Sequence, residues 1–206
     1  MNPRSPPADR PLNDIGPGRL ILVVGPSGAG KDTLIGLAKV AFAENERVVF
    51  PRRVVTRAPS MSEDNEYLTS DAFRAACDLG EFAMHWEAHG NRYGLRRSID
   101  QDIRIGHTVV INVSRTVIGA ARAAYANVAV VAVTAPPDIL AERLARRNRV
   151  TDGRISGRLY RGVDEIFFPD LIIANVGPVD QAARQLIDLV ADGGRVRNGE
   201  GDLVDD

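Results

Sequence analysis

Residues 19–43 read RLILVVGPSGAGKDTLIGLAKVAFA, and this stretch decides the fold. Arg19–Val24 is a nearly unbroken run of Leu, Ile and Val, the pattern of a strand buried on both faces of a parallel sheet. Gly25-Pro26-Ser27-Gly28-Ala29-Gly30-Lys31 interrupts it with three glycines and ends on a lysine. Lys31–Ala43 then carries apolar residues at helical spacing. Strand, glycine-rich turn and helix together form a setting that wraps a phosphate. Glycine lets the backbone approach the anion, the helix start offers unpaired amides, and Lys31 adds a point charge for the outer phosphates. Gly25, Pro26, Ser27, Gly28, Ala29, Gly30, Lys31, Asp32 and Thr33 are therefore the expected ATP contacts. A plain glycine-rich connection is the alternative, and it leaves the position of the lysine unexplained. Lysine is scarce in the chain: Lys31 and Lys39 are the two among 26 basic residues.

One position departs from the motif. After the lysine a Ser or Thr hydroxyl usually meets Mg²⁺, whereas here Asp32 follows, and then Thr33. A carboxylate is a competent hard-oxygen ligand for Mg²⁺, although it cancels part of the field that holds the phosphates. Asp32 is expected to take the metal contact, with Thr33 as the next candidate. The competing role is to complement the dipole at the start of the helix.

Outward from this unit, short apolar runs alternate with helical patterns. Strands are expected at Arg19–Val24, Val48–Val55, Thr108–Val113, Asn127–Thr134 and Asp170–Ala174. Helices are expected at Lys31–Ala43, Ser70–Asp78 with Ser70 as a plausible cap, Arg97–Ile105, Arg115–Tyr125, Pro137–Arg147 and Val179–Val190. The alternation implies a doubly wound parallel α/β sheet with helices on both faces, a P-loop NTPase architecture. Five prolines make residues 1–17 a loosely attached leader, and the Gly- and Asp-rich residues 192–206 a flexible tail.

Composition excludes several classes. With 206 residues, 44% of them hydrophobic, the chain can bury the core of one domain. Lys and Arg number 26 against 27 acidic residues, a net charge of -1, so nothing marks a nucleic-acid or anionic-membrane partner. Aromatics at 5% give no base-stacking surface. The single Cys77 precludes an internal disulfide and a cysteine-built metal cluster. No membrane-length apolar run or hydrophobic signal core is present, and a reducing cytoplasm is the expected address.

The order GPSGAGK, Val54-Val55-Thr56-Arg57, Gly90-Asn91-Arg92-Tyr93-Gly94 and Arg143-Leu144-Ala145-Arg146-Arg147 resembles guanylate kinase and its relatives across about residues 19–190. The resemblance implies a kinase domain over 18–191, with an acceptor-binding insert at 57–95 and an arginine-rich lid at 147–161. It departs from guanylate kinases where they read the base. Ser60 stands where a second phosphate-binding arginine is expected, Met84 replaces the guanine-binding glutamate, Leu95 replaces a hydroxyl, and Asn112-Val113-Ser114 replaces D-x-D. A site without hydrogen-bonding groups for a base has no means to select one.

A narrower likeness accommodates these changes. Gly30-Lys31-Asp32-Thr33, His85-Trp86-Glu87-Ala88-His89-Gly90 with Tyr93-Gly94, and Val109–Arg115 are similar to the ribose 1,5-bisphosphate phosphokinases of bacterial phosphonate catabolism. The resemblance implies transfer of the ATP γ-phosphoryl group to the 1-phosphate of a phosphorylated sugar, giving 5-phosphoribosyl 1-diphosphate. Lys31, Arg143, Arg147 and Arg158 are then the expected catalytic residues. Arg57, Tyr93 and Asn112 are expected on the acceptor, and Arg92, Arg96 and Arg97 are nearby charge for a second phosphate. Competing readings are a nucleoside monophosphate kinase and a kinase-like interaction module without catalysis. The arginines of 143–161 can equally form a solvated face. His85 and His89, four apart, suit a helical metal pair in spacing but lack a third ligand.

Overall fold

A computed structural model describes residues 15–57, 64–147 and 167–192 of the chain. The expected tail beyond 192, the expected leader up to residue 14 and residues 148–166, which hold the expected lid from 148 to 161, lie outside the described residues, as do residues 58–63 of the expected insert. In chain order the elements are β1 (Arg19–Val24), α1 (Lys31–Ala41), β2 (Val48–Val49), β3 (Arg53–Val55), β4 (Asn65–Tyr67), α2 (Ser70–Asp78), β5 (Phe82–Ala88) and β6 (Asn91–Arg96). They continue with α3 (Ile99–Arg104), β7 (Thr108–Asn112), a 3₁₀ turn (Arg115–Val117), α4 (Ile118–Ala124), β8 (Val128–Thr134), α5 (Pro137–Arg147), β9 (Leu171–Ala174) and α6 (Val179–Ala191).

Five parallel strands form the central sheet in the order β2-β7-β1-β8-β9. Side chains of β1 alternate between two cores, as a strand covered on both faces requires. Ile21 and Val23 pack with Leu34 and Ala38 of α1 and with Leu186 of α6. Leu20, Leu22 and Val24 face the other way, toward Ile103 of α3, Ala121 of α4, and Leu95 of the second sheet. The fold is the doubly wound P-loop architecture expected from the strand–helix alternation. Among the described residues no helix is long and apolar enough to cross a membrane.

The second sheet, β4-β3-β6-β5, joins β3 to the strands of the expected insert and is mixed: β3 runs parallel to β4 and antiparallel to β6. A register shift between Phe82 and Met84 breaks the alternation of β5. Phe82 consequently joins Val54 and Phe73 beneath α2, while Met84 and Trp86 turn into the main core. Gly94 makes this possible, because a Cβ there would lie 2.7 Å from the Phe82 ring.

Four expectations are corrected. Val48–Val55 is not one strand: Pro51 lacks the N–H that would continue the ladder, so β2 stays in the central sheet and β3 starts the other. Thr69, rather than Ser70, caps α2, its Oγ1 accepting from the amide of Ala72 at 3.2 Å. The segment after Arg115 begins as a 3₁₀ turn and becomes α-helical only at Ile118. The leader is shorter than 17 residues: Ile15 is buried, donates to the Ala124 carbonyl at 3.3 Å and accepts from Ala126 at 3.0 Å.

Candidate active site

The turn between β1 and α1 is pressed against its neighbours. A Cβ on Gly25, at φ 148°, would stand 2.1 Å from the Val133 carbonyl oxygen of β8. Gly30, at φ 93°, caps α1 without a side-chain hydrogen bond, and a Cβ there would stand 2.3 Å from Nδ2 of Asn175. Only glycine fits both positions, and the first-turn amides of α1 open into the loop as a result. Lys31 folds back over it, Nζ donating to the carbonyls of Gly25 at 2.8 Å and Pro26 at 2.9 Å. Beside the loop is a cavity of about 310 Å³ lined by Gly28, Gly30, Thr33, Arg143, Arg146 and Asn175.

Two residues tie this cavity to the loop. Arg143 of α5 donates to the carbonyls of Asn175 at 3.0 Å and Gly28 at 3.5 Å. Asn175, buried just after β9, donates to the Ala29 carbonyl at 2.8 Å. Arg143 therefore meets the phosphate loop through the carbonyl of Gly28. Arg147 closes α5 with its side chain outside the described part, and Arg158 is outside the described residues altogether.

On the opposite flank of α1, Asp32 is drawn into a polar contact. The buried Asn112, last residue of β7, donates its amide nitrogen to Oδ1 of Asp32. Arg53 of β3 lies 3.8 Å from the same oxygen. Asp32 keeps 42% of its side chain exposed, so a hard carboxylate faces solvent one residue from Lys31. That donor suits a divalent cation bound with phosphates. Among the described residues no group of three or more His, Cys, Asp and Glu forms a cation site of its own.

The second sheet carries the expected acceptor residues. Met84 and Leu95 are register partners across β5 and β6, and both are buried in the main core. Trp86 and Tyr93 pair in the same way, their rings stacked at 5.6 Å between centroids. Arg57 follows β3, half-buried. His85 and His89 are not on a helix: His85 points outward from β5, and His89, at φ 54°, starts the two-residue hairpin turn completed by Gly90 at φ 73°.

The nearby arginines hold the insert together. Arg96 pairs with both Glu66 and Glu81 and lies over the Phe82 ring. Its hydrogen bond keeps the Glu66 carboxyl below the usual carboxylate range, and Glu66 in turn raises the Arg96 guanidinium. Arg97 donates to the carbonyls of Gly80 at 2.7 Å and Phe82 at 3.0 Å, and Arg92 pairs with Glu87 at 2.8 Å. These cations are engaged by the insert's own frame, which leaves the expected second-phosphate role without support.

No protein-family model matches the chain. A protein of Bradyrhizobium diazoefficiens named ribose 1,5-bisphosphate phosphokinase PhnN is 57% identical over 177 residues, covering 85% of this chain and 89% of that protein. The chain belongs to the ribose 1,5-bisphosphate phosphokinase family. A second relative of that name, from Rhodopseudomonas palustris, is 53% identical and covers 90% of this chain and 95% of its own. Among solved structures, guanylate kinase from Anaplasma phagocytophilum superposes with a TM-score of 0.63 at 18% identity, covering 90% of each chain. That likeness concerns the fold.

Two polar residues of this kinase had no motif to announce them. Asn175 was detectable by position alone, at the carboxyl end of a parallel strand, where ligand crevices of open α/β sheets lie. Arg53 carried no such signal. Its approach to Asp32 depends on β2 and β3 entering different sheets.

Proposed function

We propose that this chain transfers the γ-phosphoryl group of ATP to the 1-phosphate of ribose 1,5-bisphosphate, giving 5-phosphoribosyl 1-diphosphate and ADP within phosphonate catabolism. The observation that carries this reading is the Met84–Leu95 pair. Where guanylate kinases carry base-binding groups, two apolar side chains face each other in the core, 6% and 0% exposed. Neither of these two side chains offers a donor or acceptor to select a base. The names of the relatives support the same acceptor.

In this reading the bond from the γ-phosphorus to its bridging oxygen breaks, and an oxygen of the sugar 1-phosphate forms the new bond. That oxygen is ionised at neutral pH, so no side chain has to remove a proton. Catalysis then consists of alignment and charge neutralisation. Lys31 and the amides of α1 hold the β- and γ-phosphates, while Arg143, Arg147 and Arg158 serve the transferring group. Arg57 and Tyr93 are assigned to the acceptor phosphate. Asp32, with Thr33 beside it, fits Mg²⁺, which when bound would neutralise charge on the outer phosphates. Residues 57–95 act as the acceptor insert and 147–161 as the lid.

An ADP-release assay offering ribose 1,5-bisphosphate, GMP, AMP and dTMP tests the reading. The expected outcome is turnover of the sugar far above any nucleotide, with a sugar diphosphate identified by mass. Robust GMP turnover without sugar turnover overturns it.

A further inference from the structure

We infer that Asp32 and Asn112 are a charge-swapped version of the pair that holds the divalent cation in phosphate-loop enzymes, with the carboxylate on the loop helix and its neutral partner on the strand. The usual arrangement has a Ser or Thr hydroxyl directly after the loop lysine and an aspartate on a strand of the sheet. Here the residue after Lys31 is the carboxylate, and β7, which pairs with β1, ends on an amide. The two side chains meet, Asn112 donating to Oδ1 of Asp32. Each position has changed in the sense that compensates the other. One negative charge and one neutral donor remain, and only their places have been exchanged.

The surroundings explain why the exchange has to be reciprocal. Asn112 is 6% exposed, so an aspartate there beside Asp32 would bring two carboxylates into contact at a buried position, which disfavours ionising both. A hydroxyl at 32 facing an amide at 112 would leave no anionic ligand at all. With the pair as it stands, Asn112 and Arg53 both approach Oδ1, while the Asp32 side chain remains 42% exposed one residue from Lys31. Asn112 is thus a positioning residue that orients the ligand carboxylate rather than a contact to the acceptor. Arg53 of β3 adds a counter-charge at 3.8 Å and links this carboxylate to the second sheet.

The inference rests on the nucleotide-binding part of the proposed function and not on the acceptor. It is tested with Mn²⁺ and ADP, without acceptor, on the full chain. Free Mn²⁺ is measured by electron paramagnetic resonance, and each variant receives a melting curve and an ADP titration without metal. Asn112→Ala is expected to weaken Mn²⁺ binding by about tenfold, the size of effect seen when a group orienting a metal ligand is removed. Asp32→Ser should weaken it at least as much. The double variant Asp32→Ser/Asn112→Asp restores the usual order of the pair and should recover affinity to within about threefold of the unaltered chain, a non-additivity that marks direct coupling. ADP affinity without metal should stay constant for Asn112→Ala, which removes no charge. A double variant that binds Mn²⁺ no better than Asp32→Ser overturns the inference. So does an Asn112→Ala that melts earlier but binds Mn²⁺ as before, since that is the behaviour of a merely structural amide. If the double variant does not fold, Asn112→Ala alone decides in the same two directions. A chain that shows the swap yet leaves ribose 1,5-bisphosphate untouched keeps this inference and loses the acceptor assignment.

Discussion

The phosphate-loop half and the insert are both built on sheets, but they obtain their specificity by different means. In the first, β1, β7 and β8 are continuous apolar strands buried on both faces, and the loop that follows β1 offers backbone amides. In the second, a bulge breaks the alternation of β5, and charged side chains such as Arg96, Glu66 and Glu81 tie the sheet together. In the proposed function phosphate is held largely by main chain, which nearly any side-chain repertoire leaves intact, and the acceptor is selected by side chains, which a few substitutions can replace. The difference teaches why the same fold serves a base-reading enzyme and this one: the donor half is constrained by backbone geometry, and the acceptor half by what fills its inner face.

Substitutions in each half sharpen or break that contrast. The largest effect is expected for Lys31→Ala, where loss of a charge aimed at the phosphates should lower kcat by about 10²–10³ with the melting temperature little changed. A collapse of stability instead would mean that the hydrogen bonds to Gly25 and Pro26 are chiefly architectural. Leu95→Ser comes next. It should cost about 3 kcal/mol by denaturant unfolding and confer no GMP turnover, because a hydroxyl is added to a dry core without a ligand to meet it. Gain of GMP turnover would show that the inner face of the insert is a binding surface. Asn175→Ala, which removes the donor to the Ala29 carbonyl, should cost about 1 kcal/mol and raise the KM for ATP, while sugar KM stays constant.

The smallest effect is expected at Glu66→Gln. The pair with Arg96 is more than a third exposed on the Glu66 side, so solvent screening holds its contribution to about 0.5–1 kcal/mol at neutral pH. The folded Glu66 carboxyl titrates below its unfolded value, so this stabilisation is present at neutral pH and lost as the pH falls through the lowered value. Melting curves of the two proteins should therefore differ near neutrality and converge in acid. Divergence in acid would place the Glu66 contribution elsewhere.

The same contrast explains what the sequence disclosed. The central sheet and the phosphate loop were legible because unbroken apolar runs and a glycine-rich turn ending on lysine admit few other readings. The insert strands were not. Asn65-Glu66-Tyr67 is three residues of polar pattern, and the bulge of β5 sends Phe82 and Met84 to opposite cores, which destroys the period a strand is recognised by. Arg96 and Arg97 read as charge for a ligand because sequence shows cations without their carboxylate and carbonyl partners. The identity of Asp32 was visible as an anomaly from the start, but its partner Asn112 lies 80 residues away and becomes a neighbour only through the pairing of β7 with β1.

The register partnership of Met84 with Leu95 bears on how such enzymes change over time. A glutamate introduced at 84 faces a leucine, and a hydroxyl introduced at 95 faces a methionine, each within a core that excludes water. Either step alone loses stability before any new acceptor is recognised, and a marginally stable chain has little to lose. A route to base recognition therefore runs through intermediates that selection removes, unless stabilising changes elsewhere come first. Two apolar residues that meet across these strands thus set the order in which later mutations can be accepted, and single changes at either position are the first to be refused.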